Sequence, residues 1–109
     1  MHEAIYNKLI KVAKAEVTIT YSEIAPLANL NMDDPVDRNK IAVILDEIST
    51  SEHDEGRPLL SAVVIGKTTN VPGSGFYTMA KRCGVHIGSD NVTFFARELT
   101  RVHEYWKSR

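Results

Sequence analysis

Ile19-Thr20-Tyr21-Ser22-Glu23-Ile24-Ala25-Pro26 is the stretch on which the reading of this chain turns. Thr20 and Glu23 stand at the S/T-x-x-E spacing of a capping box. There the Thr20 hydroxyl accepts the Glu23 backbone N–H, and the Glu23 carboxylate reaches back to the cap. Ile19 before the cap and Ile24 at the fourth helical position supply a hydrophobic staple. Pro26 removes a backbone donor in the second turn, so the helix is predicted to be short and to end near Ala28 or Asn29. Upstream, Val17-Thr18-Ile19-Thr20 is β-branched throughout and favours extended chain. Before that, Ile5, Leu9, Val12 and Ala13 recur at i, i+4, i+7 and i+8 and mark an amphipathic helix, with Lys8, Lys11 and Lys14 on a more polar face.

Downstream, Asn29 to Asp33 reads as a turn, and Asp34-Pro35 opens a third helix, with Asp as N-cap and Pro at the first helical position. Ile41, Ile44, Leu45 and Ile48 mark its buried stripe, and Gly56 stops it after Glu55. Its end, Ser51-Glu52-His53-Asp54-Glu55, is acidic against the negative end of the helix dipole and is expected to stay solvated. Pro58-Leu59-Leu60-Ser61-Ala62-Val63-Val64-Ile65, bounded by Pro58 and Gly66, reads as a strand. Gly66 to Gly75 is turn-rich, and Phe76-Tyr77-Thr78-Met79-Ala80 reads as a returning strand or a strand-to-helix junction. A last helix is predicted from about Asp90, with Val92, Phe95, Leu99, Val102 and Trp106 as its apolar seam. The order is helix, short helix, helix, hairpin, helix: an α+β arrangement in one domain, residues 1–109.

Composition fits that reading. The chain has 109 residues, 43% hydrophobic and 25% charged, with formal net charge −1. One domain of this size buries enough surface to need no covalent staples. No run of about 18 apolar residues is present, which leaves no membrane span. Met1-His2-Glu3-Ala4 lacks the basic start and apolar stretch of a signal peptide, which predicts a cytoplasmic protein. The single Cys83 excludes an internal disulfide framework and a Cys-pair zinc site. Charge is unevenly shared along the chain. Residues 1–55 carry eleven acidic and five basic side chains, net −6, and residues 56–109 carry three acidic and eight basic, net +5. Such a split predicts one surface that attracts polyanions and another that repels them.

Three helices followed by a hairpin with a Gly-containing tip is the element order of a winged helix-turn-helix. Thr20-Tyr21-Ser22-Glu23-Ile24-Ala25 resembles the T-Y-G-E-I-A opening of the second helix in the DNA-binding domain of alkylguanine DNA alkyltransferases and alkyltransferase-like proteins. Pro58-Leu59-Leu60 and the Gly-rich turn after it are similar to that domain too. The resemblance runs from Ile19 to Tyr77, about half the chain. It implies a recognition helix following the Thr20–Ala25 helix. The enzymes' P-C-H-R is absent, since the chain continues Ser61-Ala62-Val63-Val64, so the resemblance implies a fold and not alkyl transfer. More loosely, the chain resembles small bacterial or phage-type winged-helix nucleic-acid-binding proteins.

The expected contacts follow. Arg38, Asn39 and Lys40 occupy the first turns of helix three, where Arg reads guanine and Asn reads adenine in a major groove. A solvated helix start with local charge pairs to Asp33, Asp34 and Asp37 would have the same composition. Lys67, Thr68, Thr69, Asn70 and Ser74 lie in the expected wing, whose short polar side chains suit phosphates, as they would suit any surface hairpin. Tyr21 and Ser22 sit at a helix N-terminus, where backbone N–H groups favour an anion. Arg97 and Arg101 stand one turn apart and extend the basic half. No metal-ligand spacing, nucleophile elbow or phosphate-loop fingerprint occurs, so neither catalysis, a metal nor a cofactor is expected. The reading at this level is a non-catalytic winged-helix protein binding duplex DNA, with a homodimer through the C-terminal helix. The alternative is the same fold used as a protein-interaction module.

Overall fold

In the computed structural model, which describes residues 1–109, α1 (Glu3–Lys14) forms where the apolar spacing placed it. Ile5, Leu9 and Ala13 are shut off from solvent, with Val12 nearly so. The extended link that follows becomes β1 (Ile19–Thr20), and α2 (Tyr21–Ile24) starts on the capping box. The Thr20 hydroxyl oxygen accepts the Glu23 N–H at 3.3 Å, and Glu23 Oε1 accepts the Thr20 N–H at 3.4 Å. Both staple residues, Ile19 and Ile24, are buried. Pro26 turns the chain into a single 3-10 turn (Ala25–Ala28), which ends at Asn29 in the left-handed region, φ 57°.

α3 (Pro35–Asp54) is the longest element, capped by Asp34 Oδ1, which accepts the Val36 N–H at 2.9 Å. Ile41, Leu45 and Ile48 face the core. The helix stops at Gly56, whose φ of 76° only glycine adopts without strain. The acidic run at its end does not all stay in solvent: Asp54 and Glu55 are exposed, and Glu52 is not. Glu52 itself is fully buried, because the turn at Gly56 carries Arg57 back onto it.

The run Pro58–Ile65 is not one strand. Leu60–Val63 is a second 3-10 turn, entirely buried and packed against α1, α3 and α5 at once. Only Val64–Ile65 extends, as β2, and it pairs in parallel with β1, with Ile19 opposite Val64 and Thr20 opposite Ile65. That pair is the whole sheet. A β-branched, apolar run is equally content in a strand and at the centre of a helical core, so composition alone does not separate the two.

The expected hairpin wing is likewise replaced. Residues 74–82 form α4 (Ser74–Arg82), which buries Phe76, Met79 and Ala80 at helical spacing. In place of a wing, Gly66 to Gly73 makes a compact loop, closed by Gly66 N–H to Val71 O at 2.9 Å and Asn70 N–H to Gly66 O at 3.0 Å. A Cβ on Gly66 would collide with the Thr69 hydroxyl, which would have to turn away and give up its bond to the Val71 carbonyl. α5 (Asn91–Trp106) begins on Asp90, whose Oδ1 accepts the Thr93 N–H at 3.0 Å. Its core face is Phe94, Glu98 and Val102, and Val92, expected in the seam, is exposed. At the α4–α5 corner the buried His86 ring stacks on Phe94, 4.2 Å between centroids, and donates from Nε2 to Asn91 Oδ1 at 2.8 Å. The architecture is mixed helical with a two-stranded parallel sheet, an α+β arrangement of five α-helices. No helix is long and apolar enough to cross a membrane.

Candidate functional site

A concavity of about 640 Å³ lies between the first half of α3 and the start of α4. Its floor is Ile41, Leu45, Phe76 and Met79, with Met32 at one side and the buried Ser61 below. Three of the residues expected from sequence meet on it: Tyr21, Arg38 and Ser74. Tyr21 opens α2 half-buried, and its hydroxyl accepts the Gly73 N–H at 2.8 Å, tying the entry of α4 to α2. Burial is the larger influence on that phenol and pushes its pKa up, while the bond from Gly73 pulls the other way. Ser74 is the first residue of α4 and is exposed.

Arg38 projects from the second turn of α3, exposed, and donates from Nη1 to the Met32 carbonyl at 3.1 Å. That bond holds the guanidinium over the cleft mouth without neutralising it. Two of the neighbouring carboxylates accept from backbone N–H groups and form no ion pair. Asp34 caps α3, and Asp37 Oδ2 accepts the Asn31 N–H at 2.9 Å. On the opposite rim, Asp46 takes Arg82 in two bonds, at 3.1 and 2.6 Å, and Glu47 lies 3.0 Å from the Met1 ammonium.

The other expected residues stand apart from the cleft. Asn39 and Lys40 are exposed on the first turns of α3, and Ser22 on α2. Lys67, Thr68, Thr69 and Asn70 form the exposed part of the loop that stands where the hairpin was expected. There Asn70 adopts φ 59° and the Thr69 hydroxyl donates to the Val71 carbonyl at 3.2 Å. Three cations of the basic half are held in ion pairs. Arg57 pairs with Glu52, Arg82 with Asp46 and Arg101 with Glu98, each at 2.6 Å. Two of those carboxylates, Glu52 and Asp46, belong to the acidic half. Arg101 in particular is bonded to buried Glu98.

Sequence reasoning missed the cleft itself and the residues that give it polarity, above all Ser61 and the Gly73–Gly75 entry to α4. The signal available was Phe76, Met79 and Ala80 at i, i+3 and i+4, which marks a helix starting just after Gly73. Ser49 donates to the Ser61 hydroxyl oxygen at 2.6 Å and accepts the Ser61 N–H at 3.0 Å. No group of three or more His, Cys, Asp or Glu side chains is placed to hold a metal ion. Comparison of the chain with protein-family models, with curated proteins and with solved structures gives no match.

Proposed function

We propose that the protein is a non-catalytic duplex-DNA-binding domain in which α2 and α3 act as a helix-turn-helix unit and α3 enters the major groove. The observation that carries this reading is the placement of Arg38, Asn39 and Lys40. All three stand exposed at the N-terminal end of a 20-residue helix whose other face is anchored in the core by Ile41, Leu45 and Ile48. A recognition helix presents its first turns to base edges in this way, with Arg and Asn as the side chains that read guanine and adenine. The Lys67–Asn70 loop stands in for a wing, with Ser22 and Tyr21 at the start of α2 as backbone contacts.

A labelled mixed-sequence duplex followed by fluorescence anisotropy tests the reading. Micromolar or tighter binding at about 50 mM salt should weaken steeply towards about 200 mM, as phosphate contacts release counterions. The double variant Arg38→Glu, Lys67→Glu should bind more weakly and with a flatter salt dependence. No binding at the lower salt, or an unchanged slope in the variant, overturns the assignment.

One observation favours a second reading. Val36 and Val43, two turns apart on α3, are 59% and 65% exposed, and Asp33, Asp34 and Asp37 flank Arg38. An apolar, partly acidic helix face suits a protein partner better than phosphate, so failure of the duplex titration favours a protein-interaction module.

A further inference from the structure

We propose that α5 carries an interface for a second copy of this chain, the two α5 helices lying antiparallel about a two-fold axis at Leu99. Along α5, Val92, Ala96, Leu99, His103 and Trp106 follow one another at 4-3-4-3 spacing, which places them in one stripe down the helix. The stripe is not the core face. Phe94, Glu98 and Val102 turn inward, whereas Val92 is 74% exposed, Ala96 is exposed, and Leu99, His103 and Trp106 are half-buried. His103 donates from Nε2 to the Val17 carbonyl at 2.9 Å, which sets exposed Val17 beside the stripe.

Charge is the first argument for a second copy. The four charged side chains of α5, Arg97, Glu98, Arg101 and Glu104, all lie off the stripe, so two such helices meet with no like charges between them. Opposite charges mark the two ends. Asp90 caps the start of α5 and Lys107 follows its last turn, and neither forms an ion pair. Arg109, by contrast, is folded over the Tyr105 ring, 3.8 Å from its centroid. A parallel pair would set Asp90 on Asp90 and Lys107 on Lys107. An antiparallel pair sets each Asp90 beside the partner's Lys107.

Shape is the second. Turned end for end about Leu99, the stripe brings Val92 opposite Trp106, so the narrow valine end meets the bulky tryptophan end twice, and Leu99 meets Leu99 on the axis. Sixteen residues make only about 24 Å of helix, so the contact is small and the dimer weak, half-formed at about 50 μM. None of these residues belongs to α2, α3 or the Lys67–Asn70 loop, and pairing through α5 does not depend on duplex binding.

The test is sedimentation equilibrium of the whole chain from about 5 to 500 μM, with emission from Trp106, the one tryptophan, followed over the same range. The average mass should rise from that of the monomer towards a limit of twice that value, and the emission should move to shorter wavelength in step. Val92→Glu, at an exposed position, should weaken association by about tenfold or more. Lys107→Glu should weaken it by about fivefold, and adding Asp90→Asn, which keeps a helix cap, should recover part of that loss. A monomer at about 500 μM overturns the proposal, as does a mass that climbs past the dimer or a Val92→Glu chain that associates like the parent. An unchanged affinity in Lys107→Glu overturns the antiparallel arrangement. If Val92→Glu does not fold, Lys107→Glu and its Asp90→Asn partner variant decide alone.

Discussion

Glu52 occupies the acidic end of α3 with no surface in contact with water, and both its oxygens are in use. Oε1 accepts from the Tyr6 hydroxyl at 2.8 Å, and Arg57 donates to Oε2 at 2.6 Å and to Oε1 at 3.1 Å. From sequence it is one more carboxylate in a solvated run, because Tyr6 lies far upstream and the return of Arg57 depends on the Gly56 turn. Removing one member of a buried pair strands the other. Arg57 keeps 27% of its side chain in water, so the cost falls at the lower end of the usual range. Glu52→Ala should lower unfolding stability by about 3 kcal/mol, measured by urea denaturation. Combining Glu52→Leu with Arg57→Met and Tyr6→Phe should recover most of that loss, since no charge or hydroxyl is then left unpaired. Ser61 escaped notice for a related reason: a serine within an apolar run says nothing about which neighbour its hydroxyl will find.

At the scale of elements, starts and stops were more legible than interiors. The Thr20 cap, the Asp34-Pro35 start, the Gly56 stop and the Asp90 start each depend on a few adjacent residues, and each is where the sequence put it. Interiors depend on partners. The Leu60–Val63 turn is buried among three helices that no local window contains. α5 turns Glu98 inward, where it accepts the Leu59 N–H at 2.8 Å; of the expected seam Val102 is fully buried and Leu99 and Trp106 pack against the core, while Val92 is exposed. Of the expected site, Tyr21, Arg38 and Ser74 converge, whereas the cleft joining them required α4 to be a helix. The four-residue α2 has little helical propensity of its own and relies on its cap. Thr20→Ala should cost about 1 kcal/mol in thermal or urea unfolding, with Thr20→Ser nearly neutral. A loss below about 0.3 kcal/mol would mean that packing of Ile19 and Ile24 alone holds the turn.

Across the whole molecule, burial leaves a signature in the tyrosines. Tyr6, Tyr21 and Tyr77 have their pKa values raised, in each case chiefly by desolvation. Raised folded values favour the neutral phenol. The stability they contribute is complete below the ordinary phenol value near 10 and is lost as pH rises through the folded values. Tyrosinate absorbance of the folded protein should therefore rise later in an alkaline titration than that of the urea-unfolded chain. Coincident curves would contradict the packing of these rings. The parallel pairing of Ile19 with Val64 acts on a different clock. The two residues are 45 positions apart, and everything between them, α2 and α3 included, is made first. At about 5–20 residues per second on the ribosome, β1 waits roughly 2–9 s for its partner. Through that interval the edge of β1 has no strand to pair with, and only the synthesis of Val64 and Ile65 lets the two segments clasp.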